Sequence, residues 1–348
     1  MDEPAQPRKR RIRYRGTHPR RFEERYKELD PRQYPEMQEH VRAQGRTPGG
    51  THVPVLLDEV MAALDPRPGE TVADCTLGYG RHAAEFLRRI GPGGVLIGTD
   101  VDAAQLERTR RRLEAAGATV HLYRSNFAGL AKPLRELGIE GYDAILADLG
   151  VSSMQIDDPA RGFSYKHDGP LDMRMDDRIR QTAADLLRTL SAEDLAGALH
   201  TLADEPDADL IAQHIVQQRE RRHITRTLDL VAVICEAKGI DRRGRPGAGL
   251  HPAALTFQAL RMLVNDELGA LKQLLRLAPH CLRPGGRVGI ISFHSGEDRL
   301  VKLSFRDGVR AGIYAEASDE PVRPSPAEVR SNPRSASAKF RWARKAST

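Results

Sequence analysis

Between residues 71 and 149, four short and almost wholly apolar runs (71–77, 95–99, 119–123 and 143–149) alternate with amphipathic stretches at 81–90, 103–116 and 129–137. Runs of strand length that are apolar on both sides suit a parallel sheet covered by helices on each face. The helical patterns between them are long enough to serve as crossovers, so this part of the chain must be built from βαβ units. The length of 348 residues, with 40% apolar and 29% charged, excludes a peptide hormone, a fibre and a disordered tail protein. From 159 to 265 no strand pattern appears, and helical patterns recur at 183–190, 195–202, 209–221 and 228–237, with Thr225 and Thr227 as expected N-caps of the last. The sheet pattern resumes with a helix over 266–282, the turn Arg283-Pro284-Gly285-Gly286 and a strand over 287–293. The spacing therefore predicts an α/β sheet domain of 51–158 and 266–320, interrupted by a helical insert over 159–265.

What flanks this body is basic. Residues 1–50 carry 13 Lys+Arg against 8 Asp+Glu, and 321–348 carry 7 against 1, so of the net charge of +6 the stretch 51–320 contributes −5. Two basic ends on a mildly acidic body suit a polyanionic partner gripped through its phosphates, although solvated tails have the same composition. Arg outnumbers Lys 45 to 9, which favours bidentate phosphate contacts but also follows from compositional bias. The Arg, Pro and Ser content of both ends predicts mostly disorder, with at most short helices near 20–29, and Arg242 to Gly247 reads as an exposed basic loop in the insert. No run approaches the roughly 18 apolar residues of a membrane span, and the N-terminus lacks a signal-peptide pattern. A soluble, cytoplasmic protein is expected. Cys75, Cys235 and Cys281 are too far apart for a metal site, no other ligand cluster is apparent, and the three read as inert thiols.

The first apolar run ends Asp74-Cys75-Thr76-Leu77-Gly78-Tyr79-Gly80-Arg81-His82-Ala83, a G-x-G-x-x-A loop entering a helix. Glycines let such a loop turn tightly against a ligand, while the helix start offers free N–H groups. NAD, FAD and S-adenosylmethionine sites all use it. Twenty residues after Gly80, Asp100 closes the second run, followed by Asp102, and a carboxylate there suits the hydroxyls of a ribose. Phe127 is placed to lie against an adenine or to fill the core. Asp148 ends the fourth run, where open α/β sheets bind ligands.

Two further stretches exceed what a bare cofactor domain needs. Gly150 to Tyr165 holds Ser152, Ser153, Arg161, Phe163 and Tyr165, and Asp168 to Asp176 holds Arg174. Hydroxyls and arginines interleaved with aromatic rings are what a loop needs to hydrogen-bond and stack a nucleotide, so these six are expected substrate contacts. His294, in Ser292-Phe293-His294-Ser295-Gly296-Glu297-Asp298-Arg299, joins Asp148 as a catalytic candidate at the same sheet edge.

Together these stretches resemble the ribosomal RNA small-subunit methyltransferase H family, also called MraW. The match runs from His52-Val53-Pro54-Val55-Leu56-Leu57-Asp58-Glu59 through the glycine loop, Asp148 to Gln155, Arg161 to Ser164, Asp168 to Asp176, Ile224 to Thr227, His251-Pro252-Ala253, Thr256 to Ala259 and Ser292 to Arg299, to Asn332-Pro333-Arg334-Ser335. The resemblance implies a class I, Rossmann-like methyltransferase with a helical insert, S-adenosylmethionine as donor, and N4-methylation of one cytidine in the decoding centre of 16S rRNA. It implies a partner in the 30S subunit or a late assembly intermediate, and a homodimer fits it. It assigns the cofactor to Gly80, Arg81, His82, Asp100, Phe127, Asp148 and Gln155. Three positions depart from its pattern: Arg81 stands for a second glycine, Leu255 for an Arg, and Gly296 for a Leu. A dehydrogenase using NAD and a non-catalytic RNA-binding protein of the same fold are the rival classes.

Overall fold

The computed structural model describes residues 54–113, 119–241 and 250–347. The 1–50 extension, the short helix near 20–29, His52 and Val53, the end of the helix expected to reach 116, and the Arg242–Gly247 loop lie outside the described residues.

Seven strands, β1 (Thr71–Asp74), β2 (Val95–Asp100), β3 (Thr119–Arg124), β4 (Tyr142–Asp148), β5 (Leu282–Ser292), β6 (Tyr314–Ala317) and β7 (Lys339–Lys345), form one sheet in the order β3-β2-β1-β4-β5-β7-β6. All pairings from β3 through β5 are parallel, while β7 runs antiparallel to both β5 and β6. The helices of the sheet domain are α1 (Leu57–Leu64), α2 (Arg81–Ile90), α3 (Ala103–Leu113), α4 (Ala131–Leu137) and α5 (Ser153–Asp157). The insert adds α6 (Ala183–Thr189), α7 (Ala192–Ala203), α8 (Ala208–Arg221), α9 (Thr227–Ala237) and α10 (Ala254–Asn265), after which α11 (Glu267–Cys281), α12 (Ser295–Arg310) and α13 (Pro326–Ser331) complete the chain.

The apolar runs have their physical cause in this arrangement. On one face of the sheet Leu56, Met61, Phe86, Ile90 and Phe340 are buried, and on the other Tyr142, Leu271, Leu274, Val301 and Phe305. All four residues of β1 are buried. Each such aliphatic or aromatic side chain contributes about 1.5–3 kcal/mol relative to exposure. The insert has a separate core, including Leu195, Ile211, Ile234, Phe257 and Leu260.

Four features differ from expectation. The 321–348 segment, expected to be mostly disordered, carries α13 and β7. Its alternating charges conceal a strand because Arg341, only 3% exposed, donates its Nε to Asp298 Oδ1 at 2.7 Å, and Lys339 reaches the other oxygen. Phe340 lies over Gly289 so closely that a Cβ there would stand 2.6 Å from the ring. β5 begins at Leu282, so the Pro-Gly-Gly turn lies inside it, with a register shift against Tyr142 and Ala144. Helix α10 had no counterpart in the expected pattern. Neither Thr225 nor Thr227 caps α9: Arg226 holds that position without a side-chain bond, and Thr227 Oγ1 donates to His167 O and accepts from Gly169 N.

Candidate active site

The strand order reverses between β1 and β4, which opens a crevice at their carboxyl ends. The glycine loop forms one wall. Gly78 and Gly80 both have positive φ, and a Cβ on Gly80 would lie 2.5 Å from Thr109 Cγ2 on α3, so only glycine fits there. Thr109 Oγ1 donates to Gly78 O at 2.5 Å, and Arg112 reaches Tyr79 O, so α3 holds the loop from behind. His82 is buried and bound to Val55 O through Nε2 at 3.1 Å, and burial pushes its pKa down to about 4. It anchors α2 and does not face a ligand as a charged group. Arg81 opens α2 half-buried and makes no ion pair among the described residues.

Carboxylates line the rest of the edge. Asp100 accepts Gly78 N–H at 2.8 Å and Asp102 N–H at 2.9 Å, which fixes its plane at the end of β2, and burial raises its pKa. Asp74 is buried at the end of β1, and burial pushes it up to about 7. Asp148 lies two residues beyond the Asp74–Leu146 level, and Thr76 Oγ1 accepts its N–H at 2.6 Å. Burial, with Asp74 and Glu297 adding like charge, pushes Asp148 up to about 8. Thr76 and Thr109, which position these groups, were not singled out from the sequence, and their only signal is their place in or opposite the glycine loop.

At the end of β5, Glu297 Oε2 accepts Phe293 N–H at 3.0 Å and Oε1 lies 3.1 Å from His294 Nε2, without hydrogen-bond alignment. His294 Nδ1 accepts Glu297 N–H and caps α12. Glu297 is 3% exposed; burial raises its pKa, but His294 and the Phe293 N–H prevail and hold it below the ordinary value. The buried pair Arg261–Glu267, bonded at 2.7 and 2.8 Å, lies beside them in the same electrostatic neighbourhood.

The remaining candidates divide sharply. Gln155 Nε2 reaches Asp102 Oδ2 at 3.4 Å while its Oε1 and Ser152 Oγ complete a capping box on α5, which Ser153 opens. Phe127 is half-buried at the end of β3, packed on the sheet core. Arg161 gives Nη1 to Asp102 Oδ2 at 2.8 Å and Nη2 to the carbonyls of Arg174 and Met175. Burial opposes it, yet Arg161 and Gln105 N–H hold Asp102 below its ordinary value. Arg174 is fully engaged with Asp172 and Ile179 O, Phe163 is buried in the insert core, and Tyr165 stacks on His251 at 4.6 Å. These four build the loop before they can contact anything outside it.

Among the described residues, six buried side-chain polar atoms have no hydrogen-bond partner, and four of them, on Tyr79, Gln105, Asp148 and His294, belong to the glycine loop or to segments at the strand ends. Orphaned buried polar atoms are costly, so their concentration at one edge marks a place made for a ligand. The strand order, the glycine loop and the Asp100 carboxylate define a class I S-adenosylmethionine-dependent methyltransferase. The residues present fit such a donor: Asp100 would take its ribose hydroxyls and the loop N–H groups its methionine end, with the carboxyls of Asp74 and Asp148 at the same edge. Residues 50–346 match the model of the MraW methylase family, and the chain belongs to that family. Among relatives, "Ribosomal RNA small subunit methyltransferase H 1" of Lachnoclostridium phytofermentans is 43% identical over 97% of this chain and 93% of its own. "Ribosomal RNA small subunit methyltransferase H" of Symbiobacterium thermophilum is 46% identical over 83% and 95%.

Proposed function

We propose that this methyltransferase modifies N4 of one cytidine in the decoding centre of 16S rRNA, acting on the 30S subunit or a late assembly intermediate. The names of its relatives support small-subunit ribosomal RNA as substrate. The observation that carries the chemistry is Asp148: its backbone N–H is held by Thr76, and its carboxyl Oδ1 is buried at the switch point without a hydrogen-bond partner.

The exocyclic amine of cytosine is a weak nucleophile because its lone pair is delocalised into the ring. Bound at the glycine loop, S-adenosylmethionine supplies a methyl group activated by a sulfonium. The protein must localise the amine lone pair and align it. Asp148, made anionic when a cation sits beside it, accepts one amine hydrogen, and a carbonyl near Leu149 accepts the other, drawing the nitrogen toward tetrahedral geometry. His294, occupied in capping α12, orients the turn opposite and need not act as base, since water can take the released proton. The cytidine must leave its stack to reach this crevice, and the insert over 159–265 supplies the wall that recognises the surrounding RNA.

An NAD dehydrogenase does not suit a sheet whose β7 is antiparallel between β5 and β6. The test is methyl-labelled S-adenosylmethionine with 30S subunits from a strain lacking the enzyme, followed by nucleoside mass spectrometry. N4-methylcytidine at one position is expected. Equal transfer to a short unstructured oligonucleotide would overturn the substrate.

A further inference from the structure

The insert contains a cleft of ≈ 120 Å³ away from the crevice, lined by Ala184, Leu187, Arg188, Arg219, His223 and Ile224, with Asp185 and Thr225 completing it. Its floor is apolar, since Leu187 is 1% and Ile224 4% exposed. The cations above that floor are placed unequally. Arg188 is paired at 3.2 Å with Asp185, whose other oxygen is held by Thr182 N–H and Oγ1. Arg219 has no carboxylate partner among the described residues. Its Nη1 donates to Leu187 O at 2.7 Å and Leu190 O at 2.6 Å, which fixes the guanidinium plane and leaves Nε and Nη2 available. A half-buried, immobilised guanidinium without a counter-ion is a preorganised anion site.

Its surroundings extend the charge. Arg221, Arg222, His223 and Arg226 are exposed next to it, and of the nearby acids Asp229 and Asp168 are matched to Arg222 and Arg226, leaving Glu220 exposed. The cleft is also wired to the crevice. Thr225 O accepts Leu171 N–H, and Leu171 O accepts Ala184 N–H. Met173 N–H reaches Arg161 O, and Arg161 binds Asp102. An anion held at Arg219 therefore sits on the same loop framework that walls the cofactor site.

We infer that this cleft is a phosphate subsite for the RNA backbone, with Arg219 as its anchor and Arg188 and His223 at its rim. The inference rests on the ribosomal RNA reading above, and it adds where the strand is gripped. The test is binding of 30S subunits lacking the methyl group, measured against salt for wild type, Arg188→Glu/His223→Glu and Arg219→Lys. Arg188 is largely exposed, so the double variant keeps the fold even if the lysine variant does not. Loss of one phosphate contact is expected to flatten the slope of log K against log salt by about one and to weaken binding about tenfold, with S-adenosylhomocysteine affinity unchanged. A wild-type slope and affinity in the double variant would overturn the subsite. Inorganic phosphate serves as the second arm: binding of phosphate to wild type that is lost in the variants, while their 30S affinity and salt slope stay at wild-type values, would assign the cleft to a free phosphate and overturn the RNA subsite. If wild type binds 30S but transfers no methyl group, the cytidine proposal falls while the slopes still decide the cleft.

Discussion

The glycine-loop edge and the 159–176 loop are both dense in Asp, Arg, Ser and aromatic residues, yet they use that chemistry in opposite ways. At the edge, Asp148 Oδ1 is left without a hydrogen-bond partner, and His294 Nε2 has only the Glu297 carboxylate, 3.1 Å away and out of hydrogen-bond alignment. In the loop, Arg161 and Arg174 make six hydrogen bonds between them, to Asp102, Asp172 and the carbonyls of Arg174, Met175 and Ile179, so their donors face inward. Composition identifies a polar site, but only the count of satisfied partners separates a surface that awaits a ligand from one that holds itself together.

The largest effect is expected at the glycine-loop edge. Asp148→Asn should lower the rate of methyl transfer on the order of 10²–10³-fold, because one acceptor aimed at developing charge is lost. Single-turnover transfer, with S-adenosylhomocysteine binding as control, measures it, and full turnover at unchanged affinity would remove Asp148 from the chemistry. Gly80→Ala comes next. Positive φ together with a Cβ 2.5 Å from Thr109 should weaken cofactor binding on the order of 10- to 100-fold, and Thr109→Ser should restore only the steric part. Calorimetric titration decides it.

At the self-satisfied loop the same kind of substitution should act through folding. Arg161→Ala should destabilise the protein by about 1–3 kcal/mol, seen in denaturant midpoints, and raise the KM for cofactor and RNA together, since Asp102 and two carbonyls lose a donor. Arg161→Lys should not restore it, because an ammonium cannot span three acceptors in one plane. A rise in the RNA KM alone would instead make Arg161 a substrate contact.

The smallest effect is in pH. Asp74 and Asp148 have folded pKa values of about 7 and about 8, above the ordinary carboxyl range, so the folded state holds protons that the unfolded chain has released. The contribution of these two groups to ligand-free stability is therefore fullest below the ordinary carboxyl range and is lost as pH rises toward 8. Melting temperatures between pH 5 and 8.5 should fall for wild type and fall less for Asp148→Asn. S-adenosylmethionine should also gain affinity over S-adenosylhomocysteine across the same interval, as its sulfonium compensates the new charge.

Much of the cofactor half was legible because its determinants are local: apolar runs, a glycine loop within ten residues, and Asp100 and Asp148 each closing a strand. The rest depends on partners far along the chain. Arg341 reads as a tail cation until Asp298 is seen opposite it. Thr227 reads as a cap until Gly169 claims its hydroxyl. Arg161 and Phe163 carry the residue types of a nucleotide contact, and nothing nearby in sequence announces that Asp102 and the insert core already hold them.

The antiparallel placement of β7 has a consequence for how the protein is made. β5 is an inner strand of the finished sheet, but the neighbour on its far side comes from residues that emerge much later: Ser292 meets Lys339, 47 positions further on. Through that stretch of synthesis, an apolar strand stands with one row of N–H and C=O groups unpaired, the situation most prone to pairing with another chain. Interposing α12 and β6 before β7 thus sets a waiting time during translation. Ribosomes that stall within residues 293–338 should release a product that aggregates rather than a smaller active enzyme.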